Sequence, residues 1–528
     1  NQQASRIEYN IPPSLDVNDG AAEFEFNTFT AYMQDRWMVN ADLTLTFGLR
    51  YDRWDSDSDP VANSRFEQRY GFSNAQGPDF DLVQPRLGFN YIVDDETFIY
   101  GGAGLFAGGN PNVWLSNNYS NNGVSIRGSE FEGDATDPRV LAALDGTNTA
   151  NFGFEVPALS TDEEFFVGGD GAVNAMAPGF EVPALWKYNI GIQKEVQYGV
   201  ILAADIIYTR EDNPAMSVPL NVRNIGTAPD GRPVYQDFDA LDADCQADPL
   251  SSDCGRSGTD YLLTNNPDEG DGWVYTFTAQ KTFENGFDVN FGYSHQDIEQ
   301  GSPMNSSTAS SNFGNLSVRD LGQPAVATSN YQVEHRFTLN LSYAHEFIDG
   351  YPTRVNLFAT RRSGQVFSYT FDGDPGFGDE RFFEDRNLLY VPLENDPIVN
   401  YAPEFDQAAF NDFIADAGLN GSRGTIVDRN AQDSDWVSRV DLRISQDIPG
   451  FMEGHTGEIF FVVRNLGNLL NDEWGTLRQV PFEYNEPVVD ASFADGVYTF
   501  ENFDGPRGQR VDTPASTWSA RVGINYRF

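Results

Sequence analysis

Hydrophobic and polar residues alternate strictly along the last stretch of the chain, from Ser516 to Phe528. Between Trp518 and Phe528 every even position is apolar and every odd position is polar or small. A period of two predicts a β-strand with one apolar face. The half-buried edge strand of a soluble sheet shows the same alternation. However, a membrane strand spans the bilayer with about 9–11 tilted residues and carries aromatic residues at both interfaces, and the terminal stretch has this pattern.

The same alternation recurs in pairs of segments along the chain. A clear early example is Leu43–Asp52, where Leu, Phe and Tyr alternate with Thr, Gly, Arg and Asp. The two segments of a pair are joined by a short turn, such as Asn285-Gly286 or Asp349-Gly350, and Asn-Gly is a strong hairpin signal. A long polar segment follows each pair. In this way the sequence predicts about thirteen spanning strands.

All the long segments fall on one side of this predicted sheet. We predict long loops at about 54–81, 109–183, 211–271, 298–330, 371–434 and 467–515, with residues 1–23 as a further loop remnant. A soluble β-sandwich has no reason for this asymmetry. An outer-membrane barrel has short turns on the periplasmic side and long loops outside. We therefore predict an all-β protein in which residues 24–528 form the C-terminal part of a transmembrane antiparallel β-barrel with long extracellular loops.

The odd number of predicted strands affects how the barrel is completed. If the last strand ends in the periplasm, thirteen strands place Asn1 outside the cell, whereas single-chain bacterial barrels have an even number of strands. We interpret the chain as part of a larger barrel rather than as one with a missed strand. Open strand edges in lipid are very costly. We therefore expect another chain, or a further part of the protein, to complete the barrel.

Composition restricts the partners of the chain. Its 528 residues include 79 acidic and 33 basic side chains, and the net charge of −46 excludes nucleic acid as an expected partner. The acidic balance is interpreted either as a solvated surface or as an attraction for cations or a basic substrate. No apolar run approaches the roughly 18 residues of a transmembrane helix.

Four short motifs resemble those of TonB-dependent outer-membrane transporters. Phe29–Trp37, with Gln34-Asp35 and Trp37, and Gly48–Asp52, with the sequence Gly-Leu-Arg-Tyr-Asp, resemble a motif pair of that family. Pro85–Gly88 resembles its Pro-Arg-Leu-Gly strand start. Arg464–Asn471 resembles the exit of its penultimate strand, and Phe528 matches its terminal Phe. These motifs occur in the same order as in the family, and together they are distributed over nearly all of the chain.

The resemblance implies a barrel of about 22 strands that is plugged by an N-terminal domain and located in the bacterial outer membrane. On this interpretation, we expect the plug and the first strands to lie outside this sequence. The TonB complex is an expected partner through that N-terminal region, together with outer-membrane lipid, lipopolysaccharide and other envelope proteins. The acidic loops and the run Gly378–Asn387 are most similar to the Oar-like branch.

The sequence contains no recognisable catalytic motif, and we expect neither enzymatic activity nor a resident cofactor. Cys245 and Cys254 are predicted to form a disulfide within a loop. A cluster of acidic residues is interpreted as a solvated loop or as a calcium site with oxygen ligands. That cluster comprises Asp372, Asp374, Asp379 and Glu380.

Other charged, aromatic and histidine side chains are candidates for contacts rather than chemistry. Inward-facing charges on the last strands are expected to form ion pairs against a plug, or to form a substrate path or a network that releases the plug: Arg439, Asp441, Arg443 and Arg521. Loop aromatics either form an external binding surface or fold the loops: Trp114, Tyr119, Phe165, Phe166, Phe377 and Phe382. His295, His335 and His345, near strand ends, are interpreted as solvated interface residues rather than metal ligands.

These patterns leave three hypotheses about function. The first is an energised transporter whose loops capture a scarce ligand, which is an iron chelate, a glycan, a peptide or a cobalamin. The second is a structural barrel that anchors envelope partners through its loops. The third is a passive porin. Fold alone does not decide among them.

Overall fold

The computed structural model describes residues 6–12, 17–107, 112–132, 171–236, 259–378 and 385–528. Its main element is one antiparallel sheet in which thirteen strands pair in chain order, with the short strand Ala327–Thr328 added beside one of them. The thirteen strands are β1 (Asn27–Met38), β2 (Leu43–Asp55), β3 (Asp79–Asp94), β4 (Thr97–Ala107), β5 (Ala184–Val196), β6 (Val200–Asp212), β7 (Asp271–Thr282), β8 (Phe287–Gln300), β9 (His335–Ile348), β10 (Tyr351–Arg362), β11 (Val437–Pro449), β12 (Thr456–Arg464) and β13 (Ser519–Arg527). The predicted all-β antiparallel architecture is confirmed.

Short and long connections alternate along this sheet. Tight turns close the hairpins at one end, which we call the short-turn end. At the turn from β1 to β2, the side-chain oxygen of Asn40 accepts hydrogen bonds from the amides of Asp42 and Leu43, at 2.8 and 2.7 Å. Gly286 turns β7 into β8 with a φ of 88°, a backbone conformation that favours glycine. The long connections all leave from the opposite end, the long-loop end.

Strand register collects the apolar residues on one face. Residues that lie directly opposite each other on antiparallel strands share a face. Leu341 of β9 pairs with Val289 of β8 and Leu357 of β10, and Leu357 pairs in turn with Leu442 of β11. A continuous apolar row therefore runs across the middle of the sheet, as a lipid-facing surface requires.

The opposite face is polar and carries ion pairs. Arg50 and Asp52, which are among the polar residues of the alternating segment Leu43–Asp52, are joined by a 2.7 Å contact between Nε and a carboxylate oxygen. Arg354 donates two hydrogen bonds to Asp447, at 2.8 and 2.9 Å, in a fork geometry. The two faces therefore differ as the period-two pattern predicts.

An aromatic band crosses the apolar face at the long-loop end. Neighbouring rings are in contact, with centroids 4.6–6.2 Å apart. The band comprises Trp186, Tyr188, Tyr208, Trp273, Tyr275, His295, His335 and Trp436. Such girdles mark the interface between lipid and water in membrane barrels.

Two of the long connections fold together into a domain with its own core. We call this domain the cap; it comprises residues 363–378, 385–436 and 465–518. Its sheet is formed by five strands, in the spatial order Val399–Tyr401, Val497–Phe503, Asn485–Ala494, Val366–Asp372 and Gln432–Asp433. Asp406 caps the N-terminus of the helix Gln407–Asp416, because its side chain accepts a hydrogen bond from the backbone amide of Ala409. The helix buries Phe410, Phe413 and Ile414 in the cap core.

The remaining short elements belong to the cap, to the tight turns or to the other loops, which have smaller cores. The helices are Ser64–Tyr70, Asn112–Ser120, Ala309–Gly314, Leu466–Leu470 and Thr513–Ser516, with 3-10 turns at Val17–Gly20, Gln197–Gly199 and Leu419–Ser422. The strands are Arg6–Ile11, Arg127–Glu132, Asn174–Met176, Ala215–Pro219, Arg223–Thr227, Pro233–Gln236, Tyr261–Asn265, Tyr390–Val391, Thr425–Ile426, Arg478–Gln479 and Arg510–Val511. In the described part of the chain, no helix is long and apolar enough to cross a membrane.

The ends of the main sheet are β1 and β13. Within the described ranges each of them pairs with a single neighbour, β2 and β12 respectively. The described strands therefore do not close a barrel. The closed barrel of about 22 strands stays a prediction.

Candidate functional site

A polar cavity of about 490 Å³ opens between the cap and the loop that joins β8 to β9. This size lies within the range of small-molecule sites, about 300–1,000 Å³. Its lining consists of Asn305, Ser306, Asn315, Asn330, Tyr331, Gln332, Val333, Gln365, Phe482 and Tyr484. Half of these residues are carboxamides and three are aromatic, and none carries a formal charge. The chain as a whole has a net charge of −46, so this uncharged lining differs from the acidic composition of the chain.

Hydrogen bonds to the framework fix three of the cavity amides. The side-chain oxygen of Asn330 accepts from the amide group of Asn430 at 2.5 Å, and its carbonyl accepts from Gln365 Nε2 at 2.8 Å. The side-chain oxygen of Gln332 accepts from the backbone N–H of Ile298, at the end of β8, at 2.7 Å. This wall of the cavity is therefore rigidly connected to the sheet and the cap.

Other polar groups of the lining are available to a ligand. Within the described residues, the side-chain amides of Asn305 and Asn315 and the hydroxyls of Tyr331 and Tyr484 have no hydrogen-bond partner. Burial raises the pKa of Tyr484, so its hydroxyl stays a neutral donor and acceptor. The rings of Tyr331 and Phe482 are 63% and 58% exposed and can stack on a ligand. The cavity thus suits a ligand with neutral hydrogen-bonding groups and a flat apolar surface.

A buried ion pair holds a neighbouring loop against the cap core. Arg232 and Asp230 lie in the loop between β6 and β7, and both side chains are fully buried. The guanidinium donates to Asp230 at 3.0 Å and to the carbonyl of Leu388 at 2.8 Å, and it lies 4.4 Å from the ring centroid of Phe377. The hydroxyl of Tyr498 donates to Asp230 at 2.5 Å. The burial of Tyr498 raises its pKa, which keeps this donor neutral.

The structure places part of the predicted acidic cluster in an ion-pair network. Asp372 accepts from Arg507 Nη2 at 3.0 Å, and Asp385 accepts from Arg507 Nη1 at 3.1 Å. Asp374 accepts from the backbone N–H of Phe377 and fixes a turn. Asp379 and Glu380, the other two predicted ligands, lie outside the described residues. Calcium binding by this cluster stays a prediction.

Buried carboxyl groups predict that mild acid stabilises the cap. Burial raises the pKa of Glu486 above its ordinary value of 4.5, and burial and Asp385 raise that of Asp372 above 3.8. These groups bind protons more tightly when folded, so stability rises as the pH falls from neutral through their raised pKa values and levels off below the ordinary ones. We expect a higher melting temperature of the cap at pH 5.5 than at pH 7.5, measured by near-UV circular dichroism at fixed ionic strength.

The variant Glu486→Gln provides the control for this pH effect. Its side chain is uncharged at both pH values, so we expect a smaller pH dependence than in the wild type. A melting temperature that is unchanged or lower at pH 5.5 in the wild type would contradict the prediction.

The predicted inward-facing charges form separate pairs rather than one network. Arg439 donates to Asp441 at 3.0 Å, and Arg443 donates to Glu458 of β12 at 2.7 Å. Arg521 lines a groove beside Arg443, and within the described residues it has no ion-pair partner. Glu458 was not among the predicted residues; the register of β11 and β12 pairs it with Asp447, four residues along β11 from Arg443 and on the same face. A contact of these charges with a plug stays a prediction.

The remaining candidate residues from the sequence lie outside the described residues, in loop cores or on the surface. Cys245, Cys254, Phe165, Phe166 and Phe382 lie outside the described residues. Tyr119 and Phe377 are buried in loop cores and Trp114 packs against one, so these three aromatics fold the loops. Phe528 follows β13 and is 97% exposed. His295 and His335 are in direct contact, which the sequence interpretation did not anticipate.

Comparison with known proteins gives one match to a family and several to solved structures. The model of the family described as outer membrane beta barrel domain matches residues 12–471. The chain is similar to the FrpB iron transporter from Neisseria meningitidis, with 10% identity and a TM-score of 0.41 over 97% of this chain and 48% of that one. It is also similar to the outer membrane transporter YddB from Escherichia coli, with 12% identity and a TM-score of 0.42 over 95% of this chain and 54% of that one.

A third similar structure is the ferric-catecholate import receptor Fiu from Escherichia coli K12, with 11% identity and a TM-score of 0.38 over 95% of this chain and 45% of that one. The chain therefore spans about half the length of the solved structures it matches. A search of curated proteins found no match.

Proposed function

The chain belongs to the family of outer membrane β-barrel domains, and on this premise we propose that it is the barrel portion of a TonB-dependent outer-membrane transporter. The protein is located in the outer membrane. In the proposed function, the long loops capture a scarce ligand outside the cell. Movement of a plug, driven through TonB, then lets the ligand pass along the polar face of the sheet. The Oar-like branch and the N-terminal plug are parts of the same proposal.

One observation carries this proposal: a built cavity lies among folded loops at the long-loop end of a sheet with one apolar and one polar face. The uncharged lining and its rigid amide wall are the features of a recognition site. A simple pore does not require a cap with its own hydrophobic core and buried ion pairs. The cavity therefore favours selective capture over passive diffusion.

The position of the cavity also suggests how capture leads to passage. Its wall is bonded to the end of β8 through Gln332 and to the cap through Asn330. A ligand held there lies between the cap and the loop that joins β8 to β9. We propose that Arg439, Asp441, Arg443 and Arg521, on the polar face of the sheet, contact the plug. Iron chelates, glycans, peptides and cobalamins remain the ligand classes to be tested.

The test is uptake in cells of the native organism. Radiolabelled representatives of the four ligand classes are supplied to the wild type, to a strain that lacks this gene, and to a strain that lacks TonB. We expect the uptake of one compound to fall to background in both deletion strains, because capture and energisation are both required.

Two other outcomes would overturn the proposal. Uptake that requires this gene but not TonB would identify a passive porin. Uptake of every compound at the wild-type level without this gene would favour a structural anchor. As a matched pair for the cavity, Asn315→Ala should reduce uptake of the transported compound, whereas Asn420→Ala, in an exposed part of the cap, should not.

A further inference from the structure

We propose that His295, Glu334 and His335 form a binding site for a divalent transition-metal ion of the zinc, copper and nickel class. His295 lies within β8, five residues before that strand ends, and it is directly opposite His335, the first residue of β9, in the strand register. Their rings are stacked with centroids 4.9 Å apart. A nitrogen of each ring and a carboxylate oxygen of Glu334 all lie within 4.8 Å of one another.

The hydrogen bonds of His295 leave one of its nitrogens free to bind a metal. Its Nδ1 lies 3.1 Å from the backbone carbonyl oxygen of Glu334. A carbonyl only accepts hydrogen bonds, so Nδ1 carries the proton and the lone pair of the neutral ring is on Nε2. Histidines that bind metals usually donate their other N–H in this way. The same carbonyl accepts from the backbone N–H of Gln296 at 2.8 Å, which fixes its position.

His335 has a partner of the kind that supports a metal ligand. Its Nδ1 lies 3.0 Å from the hydroxyl of Tyr293, which accepts from Nδ1–H when Nε2 binds a metal. Its Nε2 faces the carboxylate of Glu334 at 3.4 Å. Without a metal the same contacts form a hydrogen-bonded chain in which Tyr293 donates and Nε2–H faces Glu334. The site therefore accommodates both states without a change of backbone.

The donor set determines the class of ion. Two imidazoles and one carboxylate suit zinc, copper or nickel, whereas calcium and magnesium prefer oxygen ligands throughout. Zinc binds such ligands at about 2.0–2.2 Å, which places them roughly 3.3 Å apart in a tetrahedral site. In the structure the three donor atoms lie within 4.8 Å of one another. Their side chains are only partly buried, so water can supply a further ligand.

The site directly follows one wall of the cavity along the chain. Tyr331, Gln332 and Val333 of the lining directly precede Glu334 and His335 in the chain. A bound ion would therefore link β8 to the end of the loop between β8 and β9, from which one wall of the cavity is built. Asp433, whose pKa is raised by burial and by Glu334, adds negative charge nearby. This inference does not rest on the proposed transport function.

The experiment uses copper(II) as the probe, because it binds such sites most tightly of the class. The purified, detergent-solubilised protein is titrated calorimetrically, and its electron paramagnetic resonance spectrum is recorded at one equivalent of copper. The chain has four histidines, so His345→Ala is a matched control on the same strand as His335. We expect one saturable site with two nitrogen ligands in the wild type and in His345→Ala.

His295→Ala and His335→Ala should each lose that site, with at most one nitrogen left in the spectrum. Tyr293→Phe should keep both nitrogens but bind about tenfold more weakly, because it removes only the support of His335. Far-UV circular dichroism verifies that every variant keeps its β-structure. The inference is overturned if the wild type shows no saturable site, or if His345→Ala loses copper binding to the same extent as His295→Ala.

Discussion

Replacing Arg232 with Ala is expected to destabilise the cap by about 3–5 kcal/mol, since it leaves one charge of a buried ion pair without its partner. The Asp230 carboxylate would lose its guanidinium partner and keep the hydrogen bonds from the Tyr498 hydroxyl and from the backbone N–H of residue 232. The carbonyl of Leu388 would also lose its guanidinium donor. The rings of Phe371 and Phe377 would lose their contact with the guanidinium.

The measurement is the urea concentration at which a protease begins to cut the cap of the detergent-solubilised protein. We expect a marked decrease for Arg232→Ala. Arg223→Ala is the matched control, because Arg223 lies in the same loop and is exposed, so the same charge is removed without opening the core. Equal sensitivity of the two variants would contradict the prediction.

A second pair of substitutions separates the charge from the packing. In the double variant Asp230→Asn and Arg232→Met, the buried carboxylate charge is removed together with its partner, and an apolar side chain of similar length fills the site. Replacing both partners costs less than removing one. We therefore expect the double variant to be cut at higher urea than Arg232→Ala. A lower urea concentration would mean that the loss of packing, and not the unpaired charge, dominates.

Placing an arginine on the lipid-facing row is expected to cost about 2–4 kcal/mol of barrel stability, the range for a charge near the bilayer midplane. Leu341 is in the middle of β9 and pairs with Val289 and Leu357 on the apolar face. Leu341→Arg should therefore lower the amount of folded protein in the outer membrane. The neighbouring substitution Asn340→Arg places the same side chain on the polar face, where Asn340 pairs with Asn290, and should cost much less.

Urea-dependent folding into lipid vesicles measures this difference directly. Leu341→Arg should unfold at clearly lower urea than the wild type, with Asn340→Arg between them and close to the wild type. If Asn340→Arg is the more damaging of the two, the assignment of the lipid face is wrong. The two positions are adjacent, so they differ little in strand propensity or in depth within the bilayer. The comparison therefore reports mainly which face of the sheet carries the arginine.

The candidate site shows where the sequence pattern stopped being informative. Asn315, Gln365 and Tyr484, which line one cavity, come from three different parts of the chain and follow no periodic pattern. Phe377 was a candidate for an external surface, but it is buried in the cap core. Asp372 was a candidate metal ligand, but its described partner is Arg507, more than a hundred residues away in sequence. Each of these positions depends on which loops pack together.

The histidine pair had a weak signal that could have been used. In the period-two pattern, His295 and His335 fall on the same face as the outward-facing residues of two successive predicted strands. Both lie near the strand ends that flank one loop. An estimate of the strand register would have placed them side by side. Register, however, depends on the length and folding of the connecting loop, and the alternation of residues fixes only the face.

The sequence by itself determined the spanning strands, their apolar and polar faces and the asymmetry between short turns and long loops. These features are local, because alternation along one strand and turn residues between two strands depend only on neighbouring positions. Only the tertiary structure decided the cap, the cavity, the Asp230–Arg232–Tyr498 network and the contact of His295 with His335. These arise from contacts between residues far apart in the chain, whose partners are selected by packing and by buried charge.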